Sequence, residues 1–168
     1  PGNLIGGANP GEGNLISGNS FGVQIANPGT AGNVIEGNKF GVDAVGSGVI
    51  PNSLAIHAGA SIDVAIRNNL VQGNQQGIQL SGGATGTVVT GNSILGSTAG
   101  ILVAEAANTT IGGTGSLANT ITGSSADGIE FQASTAAGID IEGNSIYGNG
   151  GLGIDLGGEG VTLNDVGD

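Results

Sequence analysis

Asn14-Leu15-Ile16-Ser17-Gly18-Asn19 is one copy of a six-residue pattern, Asn-x-Ile/Val-x-Gly-Asn/Ser. Five more copies begin at Asn33 (NVIEGN), Asn69 (NLVQGN), Asn92 (NSILGS), Asn119 (NTITGS) and Asn144 (NSIYGN). Each is followed by a Gly-Ile or Gly-Val pair whose Gly is Gly22, Gly41, Gly77, Gly100, Gly128 or Gly153. The offset from Asn to that Gly is 8 residues four times and 9 twice, a regularity that marks an internal repeat. The Asn starts are separated by 19, 36, 23, 27 and 25 residues. The long interval contains Gly41–Asn52 (GVDAVGSGVIPN), which reads as an insertion or a partial coil within one domain spanning 1–168.

Between the Asn and Gly punctuation lie short runs in which apolar residues alternate with polar ones, as in Ile78-Gln79-Leu80. Period-2 alternation specifies β-strand, and no 3.6-residue apolar stripe is present. Two or three such runs per repeat of about 19 to 28 residues predict an all-β, right-handed parallel β-helix of about six to seven three-stranded coils. Like residues then stack on like. Ile16, Ile35, Val71, Ile94, Ile121 and Ile146 are expected to form one interior column, and Val23, Ile78, Ile101, Ile129 and Ile154 another. Phe21 and Phe40 share a repeat position and are expected to stack. Asn14, Asn33, Asn69, Asn92, Asn119 and Asn144 are expected to form a structural amide ladder at one corner.

Composition agrees with many narrow, similar layers. Gly accounts for 37 of 168 residues, but with 4 Pro and no three-residue period the chain is not collagen-like. Aromatic residues are only 2%, so the core must be aliphatic. Cys is absent, which excludes disulfides and thiolate chemistry. No apolar run approaches the ~18 residues of a membrane span. The net charge is −11, with Lys39 and Arg67 the only cationic side chains apart from His57, so nucleic acid is not an expected partner.

The repeats NVIEGNKFGV, NLVQGNQQGI and NSIYGNGGLGI resemble the parallel β-helix repeats of the pectate-lyase-like superfamily. They are most similar to the Gly/Asn-rich repeats of large secreted bacterial surface proteins. The resemblance covers essentially the whole chain and implies the fold more directly than an activity. It implies an extracellular or cell-surface location of bacterial type and a structural or adhesive, non-catalytic segment of a secreted, cell-surface or fibre-forming protein. The chain opens inside a coil and stops inside a loop, which reads as an excerpt of a longer solenoid. Flanking coils or end-to-end self-assembly are the expected partners.

The alternative is a carbohydrate-active module related to polysaccharide lyases or hydrolases, with Gln24, Asp43, Gln79, Glu130 and Asp155 as outward residues facing a glycan. Glu130 and Asp155 are expected one coil apart, the kind of carboxylate pair glycoside cleavage requires. No cation stands near them in the pattern, so no catalytic residue is assigned. A third reading, an ice- or surface-binding face, requires recurrent Thr-x-Thr, which appears only at Thr85-Gly86-Thr87 and Thr120-Ile121-Thr122. His57 reads as a surface or turn residue. Arg67 is expected to pair with Asp43 or Asp63. Cofactors are none, with Ca²⁺ the one candidate. Eight of the 13 acidic residues lie in 127–168, and Asp155, Glu159, Asn164, Asp165 and Asp168 are the oxygen ligands a Ca²⁺ ion would take there.

Overall fold

A computed structural model describes residues 2–132 and 135–157. The short β-branched runs form eighteen strands in three parallel six-stranded sheets, so each coil contributes one strand to each sheet. Sheet A holds β1 (Leu4–Gly6), β4 (Val34–Glu36), β7 (Ala65–Arg67), β10 (Val88–Thr90), β13 (Ala107–Gly112) and β16 (Ala137–Glu142). Sheet B holds β2 (Leu15–Ile16), β5 (Lys39–Phe40), β8 (Leu70–Gln72), β11 (Ser93–Leu95), β14 (Thr120–Thr122) and β17 (Ser145–Tyr147). Sheet C holds β3 (Phe21–Ile25), β6 (Leu54–Gly59), β9 (Gln76–Ser81), β12 (Ile101–Ala104), β15 (Ile129–Phe131) and β18 (Ile154–Asp155). The result is a right-handed parallel β-helix of six described coils, a stack about 24 Å long at ~4.8 Å per coil.

One aliphatic column runs inside each sheet. Sheet B stacks Ile16, Phe40, Val71, Ile94, Ile121 and Ile146. Sheet C stacks Val23, Ile56, Ile78, Ile101, Ile129 and Ile154. Sheet A stacks Ile5, Ile35, Ile66, Val89, Ile111 and Ile141. The middle four members of every column are fully buried, whereas the end members remain partly or substantially exposed.

These registers correct three expectations. Ile35 belongs to sheet A, and Phe40 takes its expected place in sheet B. Phe21 and Phe40 therefore lie in different sheets and do not stack; Phe21 pairs with Leu54. The corner ladder runs Asn14, Asn38, Asn69, Asn92, Asn119, Asn144, with Asn33 one corner earlier, where its Oδ1 accepts from the backbone N–H and Nδ2 of Asn3. The reason is shared geometry. β4 and β8 are each three residues long, and each is followed by Gly-Asn, so NVIEGN imitates the sheet B pattern while lying in sheet A.

Within the ladder each inner Asn joins three coils. Asn69 Nδ2 donates to Ile35 O in the preceding coil at 2.9 Å and to Asn92 Oδ1 in the following coil at 3.0 Å. A second ladder runs between sheets B and C through Asn19, Asn52 and Asn74, and resumes at Asn149. Ser97 and Ser124 interrupt it, and both hydroxyls are buried without a partner. Such ladders satisfy the corner backbone groups that a narrow coil cannot pair within a sheet.

The segment after Phe40 leaves the coil as a small hairpin. Val42 and Val49 form an antiparallel bridge, and Asp43 N–H donates to Gly48 O at 2.9 Å. Asn52 then re-enters the second ladder.

Candidate functional site

The outward face of sheet C carries the chemistry-bearing side chains. Successive registers give the column Gln24, His57, Gln79, Leu102, Glu130, Asp155. Glu130 and Asp155 are thus direct neighbours on adjacent coils. Asp43 does not join them, because it lies in the hairpin and His57 occupies its expected place. Leu102, outward by register, is only 3% exposed and separates the amide half of the column from the acidic half.

Glu130 accepts a hydrogen bond from Gln132 Nε2 at 2.9 Å. Asp155 is buried, and its Oδ1 accepts from Gly157 N–H at 2.9 Å. The remaining residues of the expected Ca²⁺ set, Glu159, Asn164, Asp165 and Asp168, lie outside the described residues.

His57 projects from β6, where the alternation that buries Ile56 and Ala58 turns residue 57 outward. Its Nδ1 lies 3.2 Å from Gln24 Nε2 on β3, and its Nε2 lies 2.8 Å from Ser81 Oγ on β9. One ring therefore ties three coils together. The Phe21 ring stands beside it, with centroids 6.0 Å apart. Burial pushes the imidazole pKa below its ordinary value, since desolvation disfavours the charged form. Ser81 was not legible as part of this cluster. It is opposite Gly59 rather than His57, and the contact is diagonal.

Arg67 pairs with Glu36, not with Asp43 or Asp63. Its guanidinium lies 2.9 Å from the buried Glu36 carboxylate, on the adjacent coil of sheet A. Asn68 Nδ2 donates to the other oxygen of that carboxylate at 3.3 Å.

A cleft of about 560 Å³ opens over β2 and β5. The 7–13 loop walls one side and the 43–46 part of the hairpin the other, and Leu15 and Lys39 belong to its lining. Both carboxylates beside it are turned into their own loops. Asp43 accepts from Ser47 N–H at 2.9 Å, and the hairpin N–H groups, led by that of Gly48, hold its pKa below the usual range. Glu12 is held low in the same way by the Asn9 side chain and N–H.

Residues 41–165 match the family model described as Periplasmic copper-binding protein (NosD). The chain belongs to that family. No curated protein and no solved structure matches it. The NosD match covers the coils from the hairpin onward, and the three parallel sheets fit a family of parallel β-helices.

The copper-binding part of the NosD description can be tested against the donor set. Copper favours imidazole, thiolate and thioether ligands. The sequence has no Cys, no Met and one His. Both nitrogens of that imidazole are already within hydrogen-bonding distance of Gln24 and Ser81. Among the described residues no three His, Cys, Asp or Glu side chains converge. The residues present do not fit copper.

Proposed function

We propose that this chain is a structural coil stack of a secreted or envelope protein, a scaffold onto which further coils are added rather than a metal carrier. The observation that carries this reading is the state of the two ends. Ile5, Ile16 and Val23 at one end and Ile141, Ile146 and Ile154 at the other continue columns whose middle members are fully buried. The strands at these ends, β1–β3 and β16–β18, each have a partner on one side only among the described residues. Unpaired strand edges backed by incompletely buried aliphatic side chains are templates for another strand. A second copy stacked end to end would bury both.

The periplasmic description of the NosD family supports a location outside the cytoplasm. The donor set separates this chain from the copper binding in that description. Light scattering across protein concentration, with thermal melting in the presence and absence of millimolar Ca²⁺, tests the reading. Growth of particle mass with concentration supports end stacking. A strictly monomeric chain whose edges exchange their amide hydrogens slowly refutes it. A rise in melting temperature with Ca²⁺ would place ions on the acidic C-terminal part.

The cleft over β2 and β5 favours a second reading, a glycan-contacting segment. Two departures from the coil pattern flank one strip of sheet B there, and Lys39 with the side-chain carbonyls of Asn9 and Asn14 belongs to the lining. Glycan array binding that is lost on deletion of the hairpin would support it.

A further inference from the structure

Coil stacking does not account for the side chains around His57. The imidazole lies across Gly59, where a Cβ would stand 2.8 Å from Nε2, so only glycine lets the ring reach diagonally to Ser81. Ser81 itself stands in register between Gly59 and Ala104, two of the smallest residues, which leaves space around its hydroxyl on the outer face. Its carbonyl accepts from Ala60 N–H at 3.0 Å and from Ala84 N–H at 3.1 Å. The second of these bonds closes a tight turn through Gly82 and Gly83, both at positive φ, and fixes the backbone of Ser81.

We propose that Ser81 is a nucleophilic serine that accepts an acyl group from an activated ester or thioester, with His57 as its base and Gln24 as the positioning residue. A Gln amide presents oxygen or nitrogen at the same place by a half-turn. With Oε1 toward Nδ1, the ring proton sits on Nδ1, and the Nε2 lone pair accepts from Ser81 Oγ–H. Oγ then attacks the acyl carbon as its proton passes to Nε2. The bond from the acyl carbon to the departing oxygen or sulfur breaks, and the proton moves from Nε2 to that atom. One ester of Ser81 and one free alcohol or thiol result, with no further reactant.

No charged group faces the imidazole from the strands beside it. Gln24 and Phe21 face it from β3, and Gln79 and Ser81 from β9. Burial keeps the ring neutral, and so a base, at pH 7.

The experiment treats the purified chain with p-nitrophenyl acetate, follows p-nitrophenolate release, and maps the acetyl group by peptide mass spectrometry. The expected result is a burst of about one equivalent, with acetyl on Ser81 at pH 7. His57→Ala and His57→Gln should each slow it about 100-fold, the usual worth of a positioned base. Gln24→Ala should slow it less and move the pH midpoint of labelling, while Gln24→Glu retains it. His57→Gln is included because its amide can still bond Ser81, so the fold is kept while the base is lost. Acetyl spread over many hydroxyls, acetyl confined to the Lys39 amine, or a burst unchanged in His57→Gln would overturn the proposal.

Discussion

Asn69 Oδ1 accepts two hydrogen bonds from Asn38, one from its backbone N–H at 3.0 Å and one from its Nδ2 at 3.1 Å. Both residues are buried, and Asn69 Nδ2 simultaneously holds the Ile35 carbonyl. Truncation to Asn69→Ala leaves buried donors and an acceptor without partners, at about 1–3 kcal/mol each when unrelieved. The expected loss is about 3 kcal/mol of unfolding free energy, read from urea melts. Asn33→Ala, which frees only groups of the exposed Asn3 in the outermost coil, should cost about 1 kcal/mol or less. Equal losses for the two variants would contradict the ladder through Asn38.

The second ladder offers the opposite test. Ser97 and Ser124 stand where Asn52, Asn74 and Asn149 bear amides, and their buried hydroxyls find no partner. Ser97→Asn gives the Asn74 N–H an acceptor, and Ser124→Asn does the same for residue 97. Each new bond contributes about 1 kcal/mol. The double variant should exceed the sum of the singles, because an Asn at 97 needs an Asn at 124 to accept from its own amide. A double-mutant cycle from thermal melts measures that excess, and a zero or negative coupling would refute it.

The relation between sequence and fold shows in these residues. The sheet B and sheet C columns were readable because Ile16, Val71, Ile94, Ile121 and Ile146 recur between Asn and Gly, a pattern set by the corner and not by one sheet. The same generality caused the slip at Asn33. A Gly-Asn corner ends strands of sheet A as well as sheet B, and residues 33–38 meet the pattern in the wrong sheet. Moving the ladder position from Asn33 to Asn38 makes the neighbouring intervals more even, a signal the residue pattern alone did not force. The outward column on sheet C was legible at Gln24, Gln79, Glu130 and Asp155, since all follow the same Gly. His57 and Ser81 were not, because their contact depends on a missing side chain at Gly59 and on a diagonal register. Sequence periodicity reports which face a residue takes, but not which neighbour a ring leans toward.

Acid should loosen the His57 tie. Burial lowers the folded pKa of His57 below the ordinary 6.5. The unfolded chain therefore binds more protons just below pH 6.5, and stability rises with pH through that window. The contribution of His57 is complete above pH 6.5 and is lost as pH falls toward its folded pKa. Melting temperatures measured from about pH 5 to 7.5 should climb for the natural chain. The climb should flatten in His57→Gln, which cannot titrate. Carboxylates contribute at lower pH, where Glu12 and Asp43, both held below their usual range, become protonated. A slope between about pH 5.5 and 6.5 that survives in His57→Gln would assign the effect elsewhere.

The hairpin should be dispensable to the coil. The two ladder positions Asn38 and Asn52 are 14 residues apart, whereas Asn14 and Asn19, or Asn69 and Asn74, are 5 apart. Residues 43–51 are therefore surplus to the corner. Simple deletion would place Val42 immediately before Asn52, where the other coils carry Gly18, Gly73, Gly96, Gly123 and Gly148, all at φ between 64 and 74°. Valine is strained there because its branched Cβ opposes left-handed backbone. Deletion of 43–51 together with Val42→Gly restores the regular corner, with Asn52 five residues after Asn38 and a glycine immediately before it. The shortened chain should melt within a few degrees of the natural one, while deletion with Val42 retained should lose about 1–2 kcal/mol, the scale of one left-handed non-glycine residue. Unfolding of the glycine variant would mean that 41–52 is an integral part of the second coil, and that its Val42–Val49 bridge supports the turn rather than decorating it.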